Sequence, residues 1–265
     1  RLGGAGAVFW MWISGLLGMV IKYTEVMLAV EYRKKTENGY IGGPMYYMEE
    51  GLSSKKMACI FCIFAVLSSF GIGNMVQANS FSGGIGMIFD VSPVCAGVIL
   101  SALCFMVLAG GIKRISSVTE ILVPIMAIAY IFAALAVIIL NISKLPSVFE
   151  LIINSAFSSS AAAGGFAGAT FAYAARIGIS RGLFTNEAGL GSAPIAHASA
   201  DAENSVTQGM WGAFEVFFDT IVMCSITAAV ILVTGMWKSD CSDGALAYAA
   251  FSQNIPKGGY IVSFG

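Results

Sequence analysis

The sequence has little charge for its length. Lysine and arginine contribute 14 of its 265 residues and aspartate and glutamate 15, which leaves a formal net charge of −1. Because the basic residues form short clusters and not one face, the sequence excludes a nucleic-acid-binding surface. Hydrophobic residues make up 57% of the chain, and the mean hydropathy is +0.82. Such a chain prefers lipid to water. We therefore predict an all-α, multi-pass protein of the cell membrane, in contact with the lipid bilayer.

The sequence also lacks the patterns of a metal centre, a disulfide framework or a hydrolase. The Cys59–Cys62 pair has neither a second pair to complete a zinc site nor the βαβ surroundings of a redox motif. Ser192 and His197 are close in sequence, but Ser192 lacks the Gly-x-Ser-x-Gly turn of a nucleophile. We therefore predict no enzyme and no cofactor. Five of the six cysteines lie in apolar runs, where cysteine behaves as a small hydrophobic residue: Cys59, Cys62, Cys95, Cys104 and Cys224.

Apolar stretches long enough to cross a bilayer, roughly twenty residues each, predict six crossings. They are residues 5–31, 57–80, 93–112, 119–141, 150–177 and 211–236. Nine of the basic residues fall in alternate loops and four in the opposite ones, and the side with more lysine and arginine is cytoplasmic. The first crossing is therefore expected to run inward. The chain starts without an initiator methionine or a signal-peptide pattern, and we expect residues 1–265 to be a single transmembrane domain within a longer protein.

Residues 155–175 are apolar yet form a poor continuous helix. Gly164, Gly165 and Gly168 each cost about 1 kcal/mol of helix stability relative to alanine, and the preceding run of serines competes for backbone hydrogen bonds. Unwound backbone at membrane depth is tolerated only inside protein or beside a polar cavity. Transporters bind solutes and cations at such breaks. The alternative is an unbroken Gly/Ala helix that packs closely against its neighbours.

Asn74 and Gln77 are amides that share one helical face within the second predicted crossing. Hydrogen bonding to another helix explains such amides, and so does contact with a solute, because the neighbouring glycines allow close approach. The residues alone leave both readings open.

Four charged residues lie within a predicted crossing and more than two residues from either end of it. Lys22 and Glu25 are three residues apart and are expected to neutralise each other. Glu215 and Asp219 place two carboxylates on one face of the last crossing, near its cytoplasmic end. They indicate either a cation relay or pairing with Lys22 or with the arginines of a cytoplasmic loop.

His197 is the sequence's one histidine, and Asp201 follows it by four residues. A helical pair, half of a metal site, a pH sensor and simple packing in a loop are all compatible with that spacing. Thr185 and Ser192 in the preceding Gly-punctuated loop are expected to cap helices.

Three separated segments carry a family resemblance: residues 42–52 (GGPMYYMEEGL), 70–80 (FGIGNMVQANS) and 181–200 (RGLFTNEAGLGSAPIAHASA). They closely resemble motifs of the alanine or glycine:cation symporter family. The resemblance implies the leucine-transporter type of fold, with five-plus-five inverted repeats and first and sixth helices that break at the midplane. The visible crossings would be helices two to seven, followed by the start of the eighth. The first helix and the C-terminal helices of the family are missing from the sequence.

The same resemblance assigns site residues. Gln77 matches a glutamine of the substrate pocket, with Asn74 beside it, and Phe166, Ala167 and Gly168 would face the substrate at the break in the sixth helix. Most of the sodium site would lie outside this sequence, with Thr170 and Thr227 as weak candidates within it. The implied function is import of alanine or glycine, coupled to sodium or in some members to protons. A cation channel, or a symporter of another small solute, is the alternative.

Overall fold

A computed structural model describes residues 3–37, 39–71, 74–89, 91–157, 171–239, 243–255 and 258–260. Over these residues the chain is mostly helical. A π-helical segment, Phe217–Met223, joins α10 to α11 without interruption, and short 3-10 turns occur at Ile142–Lys144 and Met236–Lys238. The α-helices are α1 (Gly6–Glu31), α2 (Pro44–Glu50), α3 (Lys55–Ser69), α4 (Met75–Phe89), α5 (Pro93–Leu108), α6 (Gly111–Leu140), α7 (Leu145–Phe157), α8 (Phe171–Asn186), α9 (Ser192–Ala198), α10 (Ser205–Val216), α11 (Cys224–Val233) and α12 (Asp243–Asn254).

Three helices in the described part of the chain are long and apolar enough to cross a membrane. They cover Gly6–Glu31, Arg114–Leu140 and Ser205–Val233, and they correspond to the first, fourth and sixth predicted crossings. The third corresponds to α5, a shorter apolar helix of 16 residues.

The prediction of one continuous second crossing over residues 57–80 is wrong. The α3 helix ends at Ser69 and α4 begins at Met75, and each has 15 residues. Glycines at 71 and 73 weaken a helix through this point. The Ser69 hydroxyl also donates to the Val66 carbonyl at 2.7 Å, a local bond that competes with continued helix.

The boundaries of the fifth predicted crossing also differ. Helix α7 starts earlier than expected, and α8 continues to Asn186. Arg176 and Arg181, which we expected in a loop, therefore lie within α8. Alanine and arginine are strong helix formers, and residues with positive φ occur only afterwards, at Glu187 and Gly189. The predicted break, with Phe166, Ala167, Gly168 and Thr170, falls in residues 158–170, outside the described part of the chain.

A two-stranded hairpin that we did not predict follows α1. Strand β1 (Lys34–Thr36) pairs antiparallel with β2 (Gly39–Ile41). The guanidinium of Arg33 lies 3.8 Å from the centre of the Tyr40 ring. The hairpin adds a small β element to a chain that we predicted to be entirely helical.

The chain divides into two compact units. The first contains α4, α5, α6 and α12, and its apolar core joins α6 to Val230 and Phe251. Two polar contacts fasten the same unit: the Tyr130 and Thr227 hydroxyls lie 2.6 Å apart, and Asn141 Nδ2 donates to Asn254 Oδ1 at 2.9 Å.

The second unit is built around α1. Helices α8, α9 and α10 and the π segment pack against it, and α2 lies between α1 and α3. The β hairpin belongs to this unit too.

Candidate functional site

Glycines allow the helices of the second unit to approach closely. A Cβ atom at Gly178 of α8 would lie 2.3 Å from the main-chain oxygen of Ala7 in α1. Further along α1, a Cβ at Gly212 of α10 would lie 2.9 Å from Val26 Cγ2. Close contact of this kind, through small residues, is how helices associate within a membrane. It brings polar side chains of α1, α8, α9 and α10 together in the interior of this unit.

The polar residues so assembled are called the Lys22 network below. It links α1 to the end of α8, the following loop, α9 and α10. Its members are Lys22, Glu25, Asn186, Gly189, His197, Gln208 and Glu215.

Lys22 is the centre of the network. Its side chain is only 1% exposed, and its Nζ donates a 2.9 Å hydrogen bond to the main-chain carbonyl of Asn186. Glu215 Oε1 is 3.8 Å from the same nitrogen. Asn186 is the last residue of α8, where unpaired carbonyls carry partial negative charge. The ammonium therefore neutralises the C-terminal end of α8 as well as the Glu215 carboxylate.

The loop after α8 turns through three residues with positive φ: Glu187 at 53°, Gly189 at 86° and Gly191 at 77°. Asn186 Oδ1 accepts a 3.0 Å bond from the Ala188 N–H inside this turn. Glu25 Oε2 accepts a 2.9 Å bond from the Gly189 N–H. Lys22 and Glu25 therefore both bind the end of α8 and its loop, and Lys22 also acts as a favourable nearby charge on Glu25, as expected.

The predicted helix caps are wrong. The Thr185 hydroxyl lies inside α8 and donates to the Arg181 carbonyl one turn earlier at 2.9 Å, as threonine does within helices. Ser192 is the first residue of α9, whose N-cap position is Gly191. Its hydroxyl donates to Glu187 Oε2 at 2.5 Å, which holds the turn closed.

His197 bonds to side chains of α10 and not to Asp201. Its Nε2 lies 3.0 Å from Glu215 Oε2, and its Nδ1 lies 2.8 Å from Gln208 Nε2. An amide nitrogen can only donate, so Nδ1 accepts and Nε2–H donates to the carboxylate. Within the part of the chain that the structure describes, no group of three or more His, Cys, Asp or Glu side chains could hold a metal ion. The histidine is a bridge between α9 and α10.

The two acidic residues of the last crossing have different surroundings. Glu215 ends α10 in contact with Lys22, which is one of the alternatives that the sequence left open. Asp219 lies in the π segment, and its Oδ2 is buried without a hydrogen-bond partner. Thr220 is fully buried, and its hydroxyl has no partner either. π-Helical turns often occur at functional sites.

Asn74 and Gln77, two of the predicted substrate residues, lie in the other unit. The Asn74 carbonyl accepts a 2.9 Å bond from the Ala78 N–H at the start of α4, and Gln77 is in the first turn of that helix. Both side chains are exposed. Thr227, a weak sodium candidate, shares a hydrogen bond with Tyr130 in the same unit. The substrate role of Asn74 and Gln77 stays a prediction.

Two members of the Lys22 network, Asn186 and Gln208, were not singled out from the sequence. Asn186 directly precedes a turn that contains two glycines, and helices commonly end before such a turn. That pattern, together with one lysine inside an apolar helix, is a signal that could have led to Asn186. Gln208 has no comparable signal.

The long apolar helices, their packing through glycine and the charge buried between them define an integral membrane protein of the transporter class. Residues 1–264 match the model of the sodium:alanine symporter family, and the chain belongs to this family. The resemblance found in the sequence motifs is thereby confirmed. The family consists of transporters and not enzymes, and the chain is a multi-pass protein of the cell membrane.

Three curated relatives show which transporters the chain resembles within the family. It is 45% identical to the uncharacterized transporter YflA of Bacillus subtilis, over 98% of this chain and 56% of the relative. It is 41% identical to the sodium/alanine symporter AgcS of Methanococcus maripaludis, over 100% of this chain and 59% of the relative. It is also 41% identical to the probable sodium/glutamine symporter GlnT of Bacillus subtilis, over 96% and 52%. The chain spans little more than half the length of these relatives.

Proposed function

We propose that the full-length transporter containing this chain imports alanine or glycine together with sodium across the cell membrane by alternating access. The observation that carries the proposal is the family match over residues 1–264. The identity of 41% to a sodium/alanine symporter supports the choice of substrate and ion. Sodium is the co-transported cargo here and not a resident cofactor.

The proposal includes a fold and a binding site. We infer a leucine-transporter type of fold in which the chain supplies helices two to seven and the start of the eighth. The amides of Gln77 and Asn74 would bind the carboxylate and ammonium of the amino acid, since an amide both donates and accepts. Phe166, Ala167 and Gly168 would line the pocket, and Thr170 and Thr227 would contribute oxygen atoms to sodium.

A second substrate is favoured by a specific observation. The chain is as similar to the probable sodium/glutamine symporter as to the sodium/alanine symporter, at 41% in both cases. Identity at this level therefore does not separate a small from a larger neutral amino acid. A cation channel is the remaining alternative, because buried carboxylates such as Asp219 also occur along ion pathways.

The test is uptake by the purified full-length transporter in proteoliposomes. Labelled alanine, glycine and glutamine would be offered separately, with an inward sodium gradient and with potassium in its place. We expect saturable, sodium-dependent uptake of alanine or glycine and counterflow by the same substrate. Preferential uptake of glutamine would make glutamine the proposed substrate and leave the proposed symport mechanism unchanged. A voltage-driven current without counterflow would indicate a channel and contradict the proposal.

A further inference from the structure

We propose that the carboxyl group of Asp219 is a proton-binding site within the membrane, which takes up and releases one proton during the transport cycle. The inference deepens the proposed function and rests on it, because it adds a proton-carrying residue to a cation-coupled transporter. The chemistry is a simple protonation: the carboxylate gains a proton from water and becomes a carboxylic acid, and the reverse step returns that proton.

The position of Asp219 is the first observation. The continuous apolar helix Ser205–Val233 has 29 residues, and Asp219 is its middle residue. In a helix that crosses a membrane, the middle residue lies furthest from the water on both sides. An ionised carboxylate there is costly unless it is paired.

The second observation is that the buried polar atoms here lack partners. Among the described residues, the buried side-chain nitrogen and oxygen atoms without a hydrogen bond are Asn186 Nδ2, Asp219 Oδ2 and Thr220 Oγ1. Asn186 lies against Gly18 of α1, and Thr220 lies against Gly15 of the same helix. These two glycines are three residues apart and share a helical face. Asn186 and Thr220 therefore lie along one face of α1, and Asp219 directly precedes Thr220 in the chain.

The surrounding charges do not compensate Asp219. The charged groups that act on it are Glu215 from its own helix, Lys22 from α1 and Glu187 from the loop after α8. Lys22 already binds the Asn186 carbonyl and Glu215, and Glu25 lies one turn beyond it on α1. The other charged residues of α8, Arg176 and Arg181, are exposed. Glu215 and Glu187 bring two negative charges, and the single positive charge of Lys22 is already paired. The surroundings of Asp219 therefore carry an excess of negative charge.

A proton fits this site better than a metal ion does. Hard cations require many oxygen ligands, six or more in the case of calcium. The unpaired oxygen atoms here are one of Asp219 and one of Thr220. Protonation turns the carboxylate into an O–H donor, and the hydroxyl of the neighbouring Thr220, which interacts with this carboxyl group, can accept from it. The π turn that contains both residues, with the Cys224 N–H bonded to the Asp219 carbonyl, keeps them in one widened stretch of helix.

The test uses the full-length transporter in proteoliposomes that contain a trapped pH dye. Adding amino acid with sodium should acidify the lumen in the wild type, and Asp219→Asn should reduce this acidification to the protein-free background. Asp201→Asn, at an exposed loop carboxylate, is the matched control and should acidify as the wild type does. Uptake would also be measured between about pH 5 and about pH 8, where buried carboxyls and histidines titrate. We expect the profile to flatten in Asp219→Asn and to persist in His197→Gln.

Several outcomes would overturn the inference. Sodium-dependent uptake without acidification in the wild type would reject it and leave the proposed function intact. A wild-type pH profile in Asp219→Asn, combined with a tenfold loss of apparent sodium affinity, would make Asp219 a sodium ligand instead. Absence of any sodium-dependent uptake would reject the proposed function itself.

A second measurement covers the case in which Asp219→Asn fails to insert. Thr220→Val removes the unpaired hydroxyl and keeps the carboxyl, and it should shift the midpoint of the pH profile. The infrared carbonyl band of a protonated carboxylic acid should be present in this variant and in the wild type. If the band is absent from both, Asp219 does not hold a proton.

Discussion

The side chain of Lys22 donates a 2.9 Å hydrogen bond to the main-chain carbonyl of Asn186, 164 residues later in the chain. The bond fastens the middle of α1 to the last residue of α8. A buried ammonium is costly unless it is fully paired, so we expect the position of α8 to depend on it.

Replacing Lys22 by methionine should destabilise the transporter. The substitution keeps the length of the side chain but leaves the Asn186 carbonyl without its donor and Glu215 without its cation. A buried polar group left unpaired costs about 1–3 kcal/mol, which should appear as a lower unfolding temperature of the purified full-length protein. Lys35→Met, at an exposed position on the hairpin, is the control. Equal unfolding temperatures for the two variants would show that the Lys22 bond contributes nothing.

The glycine packing between α1 and α8 makes a second prediction. A methyl group at Gly178 would lie 2.3 Å from a main-chain oxygen of α1, so Gly178→Ala should separate the helices and cost about 1–3 kcal/mol of stability. Gly97 of α5 has no atom within 4 Å of the same position. Gly97→Ala should therefore gain up to about 1 kcal/mol through better helix formation. The unfolding temperature of both variants would be measured, and equal changes in that temperature would contradict the packing argument.

The parts of the fold that could be predicted are those that follow from a local sequence pattern. The helices Gly6–Glu31 and Ser205–Val233 follow from unbroken apolar runs. Apolar content alone did not reveal that the second crossing is interrupted near Gly71, because glycines are common in continuous transmembrane helices. The hairpin has strands of only three residues, too short to produce a recognisable alternation.

The site could be predicted only in part, for a related reason. The sequence singled out Lys22, Glu215 and His197 as unusual, since charge and histidine are rare in this chain. Pairing of Glu215 with Lys22 was one of the expected alternatives. The contacts of Lys22 with Asn186 and of His197 with Glu215 were not expected, because near neighbours in sequence were considered first. Glu215 and His197 are 18 residues apart and meet because α9 and α10 both pack against α1. Sequence spacing carries no information on such contacts.

The orientation of the chain can be tested by labelling. In an otherwise cysteine-free transporter, Lys35→Cys on the exposed hairpin should react with a membrane-impermeant thiol reagent from the cytoplasmic side only. Lys144→Cys, in an exposed turn of the opposite set of loops, should react only from outside. The expectation follows from the excess of basic residues in the first set. Reaction of Lys35→Cys in intact cells would reverse the topology.

Tyr47 on α2 gives a prediction at alkaline pH. Burial, and secondly the nearby charge of Glu25, raise the pKa of the Tyr47 phenol to about 12. The folded protein then holds this proton more tightly than the unfolded chain does. The associated stability is present below the ordinary tyrosine pKa of about 10 and is lost as the pH rises through about 12. Ultraviolet titration should show one late-titrating phenol that disappears in Tyr47→Phe and remains in Tyr46→Phe. If the late phase persists in both variants, the late-titrating phenol belongs to another tyrosine.

Gln77 provides the most direct test of the substrate site. Its amide can donate to a carboxylate and accept from an ammonium, so it suits a zwitterion in a pocket with few other polar groups. Gln77→Ala removes one or two hydrogen bonds to charged groups, each worth about 1.5–3 kcal/mol. Affinity should fall on the order of tenfold to a hundredfold. Gln77→Glu should be worse, because its negative charge opposes the substrate carboxylate.

The control for Gln77 is Asn79→Ala, an exposed amide two residues further along α4. Two residues in a helix differ in direction by roughly 200°, so Asn79 faces away from the site and its loss should leave affinity unchanged. Substrate affinity and unfolding temperature would both be measured on each full-length variant. If Gln77 only braces neighbouring helices, Gln77→Ala will lower the unfolding temperature and bind substrate as the wild type does. That combination would remove Gln77 from the substrate site, because a lost substrate contact must appear in the affinity.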